Sequence, residues 1–172
     1  QEIRDNLSRM IEASKHFNDY QFVIAGAPGI EKEFYKPFLK KDTSIVFSQT
    51  YRLLQHSSAA MVTSGTATLE TALFNVPQVV CYYMSAGRIV SFLRKHILKV
   101  KYISLVNLIT GRESVKELVA DSMNVENLRN ELKRILPGGS ERNRVISDYS
   151  HLRSVLGEEG ASLRAASDIV RS

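Results

Sequence analysis

Cysteine is nearly missing: Cys81 stands alone among 172 residues, so no internal disulfide can form, and four histidines without paired spacing give no zinc signature. A reducing, cytosolic setting fits that usage. Long apolar runs are missing as well. Residues 79–84 are typical of the uninterrupted stretches, whereas a membrane-spanning helix needs roughly 20. The start shows no signal-peptide pattern. Neither Gly-x-x-x-x-Gly-Lys nor Gly-x-Gly-x-x-Gly occurs, which disfavours a nucleoside triphosphatase and a dinucleotide oxidoreductase. No acidic cluster suits a metal. Any bound phosphate would therefore be neutralised by backbone amides, a helix dipole and arginine, and neither a metal nor a cofactor is expected.

What is present is ordinary for one soluble domain, with 44% hydrophobic and 24% charged residues. The net charge of +5 says little by itself. Its distribution says more: no acidic residue falls between Glu70 and Glu113, while Arg88, Arg94, Lys95, Lys99, Lys101 and Arg112 all do. Such a local excess suits a phosphate ligand, an anionic membrane face or nucleic acid.

Ile3, Leu7, Met10, Ile11 and Ser14 recur at helical spacing and predict an amphipathic helix over residues 2–17. Short apolar runs at 20–25, 44–47, 59–63 and 78–82 predict buried strands, alternating with helices at 31–39, 51–56 and 66–74. That alternation means βα units: an α/β fold with a doubly wound parallel sheet, Rossmann-like, ending in a helical C-terminal tail. Helices are predicted there at 112–120, 125–135, 140–156 and 161–170. In such sheets ligands bind beyond the carboxyl ends of the strands, so the loops at 26–29, 63–66 and 83–87 should share one rim. Because a parallel domain normally opens on a strand and this chain opens on a helix, a first strand and its loop are expected to be missing from an otherwise single domain over residues 1–172.

Ser64-Gly65-Thr66 carries the sharpest local chemistry, at a strand-to-helix turn. Gly65 allows close backbone approach, free N–H groups point out of the helix start, the dipole favours an anion, and Ser64 and Thr66 add hydroxyl donors. Ordinary helix capping by Ser64 or Thr66 is the competing explanation. With Thr66 as the cap, the reciprocal capping-box position is Leu69, so Glu70 lacks that duty. Its carboxylate matches the vicinal hydroxyls of a ribose, or else is a solvated helix-face acid. A second cluster spans Asn107, Gly111, Arg112 and Glu113: Arg112 offers a planar fork for a diphosphate and Asn107 an amide for a sugar, against a plain turn before a helix. Residues 88–99 read as a basic amphipathic helix, either a packed helix with a cationic face or one lying on an anionic membrane. The histidines lack triad partners, and Cys81 reads as a small core residue.

The combination of Ser64-Gly-Thr-Ala-Thr-Leu-Glu70, Pro77-Gln-Val-Val-Cys-Tyr-Tyr-Met84 and the stretch from Tyr102 through Asn107 and Gly111-Arg112-Glu113 to Glu117-Leu118 resembles the lipid-A-disaccharide synthase family over roughly residues 1–135. Ser-Gly-Thr-x-x-x-Glu is shared among many glycosyltransferases; joined to the Asn107–Leu118 pattern it is much more specific. The resemblance implies the C-terminal, donor-binding half of a GT-B type glycosyltransferase. Enzymes of the family transfer 2,3-diacylglucosamine from UDP to 2,3-diacylglucosamine 1-phosphate without an obligatory metal, as peripheral proteins at the inner face of the bacterial inner membrane. Carried over, it implies that Ser64, Gly65 and Thr66 meet the diphosphate and Glu70 the ribose. Asn107, Gly111, Arg112 and Glu113 would face the donor sugar or phosphate, and the loop at 26–29 would lie near the uracil. Two departures stand out: the family's Gly-Ser-Arg loop normally comes just ahead of residue 1, and Val106 occupies a position where proline is common.

On this reading the donor is UDP-2,3-diacylglucosamine, the lipid acceptor binds through an N-terminal domain, and the isolated chain is not expected to turn over. An exposed edge left by a missing strand makes self-association an expectation. Two alternatives remain open: a UDP-sugar 2-epimerase-like domain, against which Asn107 and Gly111-Arg112-Glu113 weigh, and a non-enzymatic nucleotide or nucleic-acid module. The latter would use residues 88–101 with Tyr82, Tyr83, Phe92 and Tyr102 as stacking surfaces.

Overall fold

A computed structural model describes residues 2–39, 43–63, 65–83 and 101–157. The expected alternation appears in order: α1 (Glu2–Ser14), β1 (Phe22–Gly26), α2 (Lys32–Tyr35) with a 3-10 turn Lys36–Phe38, β2 (Thr43–Phe47), α3 (Thr50–Gln55), β3 (Ala60–Val62), α4 (Gly65–Leu73) and β4 (Gln78–Tyr82). Then come α5 (Leu105–Thr110), β5 (Lys116–Val119), a 3-10 turn Ala120–Ser122, α6 (Val125–Ile135) and α7 (Arg142–Leu156).

Every strand pairing is parallel. β1 runs beside β2 from Phe22 opposite Thr43 to Gly26 opposite Phe47. β4 lies between β3 and β5, with Val79 opposite both Met61 and Lys116. Burial on both faces explains why β4 is apolar without alternation: Val79, Val80 and Cys81 are all sealed in the core. Around it α1 packs on α6, and α4, α5 and α7 form a second group. Fold class therefore agrees with the sequence: α/β, parallel, with helices following the last strand.

The residues from 102 to 120 differ from expectation. In place of a helix over 112–120 there is a helix before Gly111 and a strand after it. Ser104 caps α5, its hydroxyl accepting from the Asn107 N–H at 3.3 Å, and Gly111 ends it in the left-handed region at φ 67°. Lys116–Val119 has enough charge to look helical, but its buried Leu118 and its ladder with β4 decide for strand. α6 and α7 match the expected helices closely, with Asn124 capping α6 through the Asn127 N–H at 2.9 Å. The helix expected over 161–170 lies outside the described residues.

Tyr149 of α7 ties the second helical group to the sheet. Its hydroxyl donates to the Val76 carbonyl at 3.2 Å and accepts from Gln78 Nε2 at 3.2 Å, and Gln78 also donates to the Thr68 carbonyl at 2.8 Å. All three side chains are fully buried, so helix α4, strand β4 and helix α7 meet at one polar knot inside the core.

Candidate functional site

β3 and β4 run parallel and direct their carboxyl ends to one rim, where the loops that follow them gather. From β3 the chain passes through exposed Thr63 into α4; Ser64 lies outside the described residues. The helix begins at Gly65, so Thr66 sits within its first turn rather than at the cap. The capping-box position moves with it, to Ala67, and Glu70 is again left without that duty. Nothing described comes within 4 Å of where a side chain on Gly65 would point, and Thr66 is exposed. The first turn carries no acidic residue to compete with an anion.

Beneath this open end the helix is anchored. The Thr68 hydroxyl donates to the Gly65 carbonyl at 2.6 Å and the Thr71 hydroxyl to Ala67 at 2.7 Å, while Gln78 grips the Thr68 carbonyl from the neighbouring strand. Glu70 stands one turn below Thr66, half-buried, its carboxylate making no hydrogen bond or ion pair with any described residue. A rigid helix start facing open space, with an uncommitted carboxylate beside it, can receive a phosphate at the amides and hydroxyl groups at the acid.

The loop after β1 is held from below by residues the sequence reading did not single out. The Ala27 N–H donates to the hydroxyl of buried Tyr35 at 2.9 Å, and Tyr35 meets Phe47 edge-on at 5.8 Å between ring centres. Gly26 is obligatory there, because a side chain would collide with the Phe47 ring. After β4, Tyr83 is clasped by Asn6 of α1: Oδ1 accepts from the Tyr83 N–H at 3.0 Å and Nδ2 donates to its carbonyl at 3.4 Å. Asn6 left a trace in the sequence, being the polar residue on the apolar stripe between Ile3 and Met10. Residues 84–87, expected to extend this rim, lie outside the described residues, as do Arg88, Arg94, Lys95 and Lys99 of the expected basic helix.

The second cluster is not brought to that rim. Gly111, Arg112 and Glu113 come just before β5, at the amino edge of the parallel sheet. Arg112 pairs with Asp148 of α7 at 2.6 Å, and Asp148 is shared with Arg144 at 3.0 Å. Arg144 in turn donates to the Glu113 carbonyl at 3.2 Å, and the Glu113 carboxylate pairs with Lys116 at 3.0 Å. Asn107 is bonded within the fold. Fully buried, it donates through Nδ2 to the Val115 carbonyl (2.8 Å) and to Glu117 Oε1 (2.9 Å), and accepts the Val115 N–H at 2.9 Å. Its amide has no group left for a ligand. Glu117 completes the latch by accepting from the Ile103 and Ser104 N–H groups at 2.9 Å each and from the Ser104 hydroxyl at 2.7 Å.

A family model described as Lipid-A-disaccharide synthetase matches residues 1–168. The chain belongs to this family. It is 34% identical over 98% of its length to the lipid-A-disaccharide synthase of Myxococcus xanthus strain DK1622, covering 45% of that protein. Its identity is 34% to the lipid-A-disaccharide synthase of Syntrophus aciditrophicus, with 85% of this chain and 39% of that protein aligned. With the one from Persephonella marina it is 32%, over 89% and 41%. The chain thus spans less than half the length of these curated relatives. Within the lipid-A-disaccharide synthase family, then, two of the three stretches that carried the resemblance have different structural settings here. Gly65, Thr66 and Glu70 look out at the carboxyl rim, and the Asn107–Glu117 stretch builds the wall behind it. Among the described residues no helix is long and apolar enough to cross a membrane, and no group of three or more histidine, cysteine or acidic residues is disposed to hold a metal ion.

Proposed function

We propose that this chain is the donor-nucleotide half of a hexosyltransferase that moves 2,3-diacylglucosamine from UDP to 2,3-diacylglucosamine 1-phosphate in lipid A synthesis. The observation that carries the reading is the open start of α4 on the carboxyl rim, with Gly65 open, Thr66 exposed and Glu70 without a hydrogen bond or ion pair among the described residues. Ser64, Gly65 and Thr66 receive the diphosphate, where the main-chain N–H groups and helix dipole stabilise the charge that grows on departing UDP. Glu70 accepts hydrogen bonds from the ribose hydroxyls. Inverting transfer also needs a base for the acceptor hydroxyl. That base and the lipid acceptor's site belong to the part of the enzyme beyond this chain, which acts at the inner face of the inner membrane.

Asn107, Gly111, Arg112 and Glu113 enter this reading as positioning residues. Burial of the Asn107 amide and the Arg112–Asp148 pair support that division: they fix α5 and β5 against α7, which holds the core beneath α4.

The test is calorimetric. The chain is titrated with UDP and with 2′-deoxy-UDP, alongside Glu70→Ala. Removing either the 2′-hydroxyl or the carboxylate should weaken binding about tenfold, or about 1.4 kcal/mol, and removing both should weaken it little more than removing one. Fully additive losses would sever Glu70 from the ribose, and equal affinities throughout would end its role.

A further inference from the structure

Thr68 is fully buried inside α4. Valine would fill the same space without burying a hydroxyl, and alanine would favour the helix more. What the hydroxyl does is donate to the Gly65 carbonyl, three residues back, at 2.6 Å. The helix ladder already brings the Leu69 N–H to that carbonyl. Thr68 is its second donor.

The effect reaches the other side of the same peptide unit. The Gly65 carbonyl and the Thr66 N–H share one amide plane. That N–H is among the four that a helix beginning at Gly65 leaves without an internal partner. Drawing electron density towards the carbonyl oxygen makes the N–H a stronger donor. The bond also fixes the plane. Gly65 has no side chain, and nothing described lies within 4 Å of where one would point, so packing does not hold this peptide. Thr68 in turn is held in place, because Gln78, bonded to Tyr149, grips its carbonyl at 2.8 Å from β4.

Thr71 makes the same kind of bond with a different consequence. Its hydroxyl donates to the Ala67 carbonyl at 2.7 Å. That carbonyl shares its peptide unit with the Thr68 N–H, which lies beyond the four free groups and faces no ligand.

We propose that Thr68 is a positioning residue for the donor diphosphate. Through the Gly65 carbonyl it aims and strengthens the Thr66 N–H that meets the phosphate, without touching the ligand itself. The inference rests on the reading of the α4 start as the diphosphate site. It adds a buried hydroxyl that acts on phosphate affinity through the backbone, and it separates Thr68 from Thr71, which chemistry and burial alone would not.

The experiment titrates UDP and uridine, followed by NMR, into the unsubstituted chain and into Thr68→Val, Thr68→Ser and Thr71→Val. Linked hydrogen bonds strengthen one another by roughly 10–30%, so removing the Thr68 hydroxyl should weaken UDP binding about threefold. Uridine, which carries no phosphate, should bind Thr68→Val as it binds the unsubstituted chain. Thr68→Ser should restore UDP affinity, and Thr71→Val should leave it unchanged. Before ligand is added, the Thr66 amide proton should move to higher field in Thr68→Val and return in Thr68→Ser. Unchanged UDP affinity in Thr68→Val, equal losses for UDP and uridine, the same loss in Thr71→Val, or no rescue by serine would each overturn the assignment and leave α4 as the phosphate site. Absence of UDP binding by the unsubstituted chain would overturn that site and this inference together.

Discussion

Asn107 and Glu117 face each other across the junction of α5 and β5, with the Asn107 amide donating to the Glu117 carboxylate at 2.9 Å. Every other polar atom of the Asn107 side chain is satisfied by Val115, and Glu117 also collects the Ile103 and Ser104 amides. Both residues belong to the pattern that carried the family resemblance, and the structure gives that pattern a folding duty.

Asn107→Ala should therefore cost about 2–4 kcal/mol in urea unfolding, because it strands the Val115 N–H and carbonyl in the interior. Asn107→Asp should be worse at neutral pH, since two carboxylates would then share one site. It should recover stability as pH falls below about 5, where one of them can hold a proton. An unchanged midpoint for Asn107→Ala would remove the latch from the account.

Gly111 and Arg112 separate positioning from ligand contact. Gly111→Ala should lose about 1–2 kcal/mol, because φ of 67° is strained for a side chain, and Gly111→Asn should lose less. Arg112→Ala gives up an exposed arginine on Asp148 and should cost about 1 kcal/mol or less. UDP affinity, read by calorimetry, should stay within about twofold for both alanine variants. A tenfold loss (about 1.4 kcal/mol) in Arg112→Ala without a stability change would restore it as a phosphate ligand.

Burial pushes the Cys81 thiol and the Tyr149 phenol well above their ordinary ranges. Both are raised in the folded state and ionise near pH 8.5 and 10 once unfolded. Their contribution is thus fully present below about pH 8.5 and is lost as pH climbs above it, first from the thiol and then from the phenol. Denaturation midpoints should fall steadily from about pH 8.5 upward, less steeply in Cys81→Ala. At pH 8 a thiol reagent should label Cys81 only at the rate of unfolding; immediate labelling of the folded chain would contradict the burial.

Much of the fold was legible in advance because buried parallel strands leave continuous apolar runs: Gln78–Tyr82 coincides with its expected bounds. The stretch from Leu105 to Val119 was not. Its strand, Lys-Glu-Leu-Val, is charged at the first two positions, and only pairing with β4 overrides that local composition. Ser104 and Gly111 cap α5, a pairing the sequence reading did not use. At the candidate site, Gly65, Thr66 and Glu70 could be read from the strand-turn-helix pattern. Tyr35 could not, because it reads as one more apolar residue of its helix, and Asn6 marks a break in the apolar stripe without naming Tyr83, 77 residues away. The pairing of Arg112 with Asp148 was equally hidden, Asp148 lying on a helix formed much later in the chain.

The most direct test of the account is to titrate UDP into isotope-labelled chain and map the amide shifts. Saturable changes concentrated at Gly65, Thr66 and Ala67, with smaller ones at Ala27 and Gly29, and their loss in Glu70→Ala at the same UDP concentration, are what the account predicts. Saturable changes centred on Gly111, Arg112 and Glu113, with α4 silent, would contradict it.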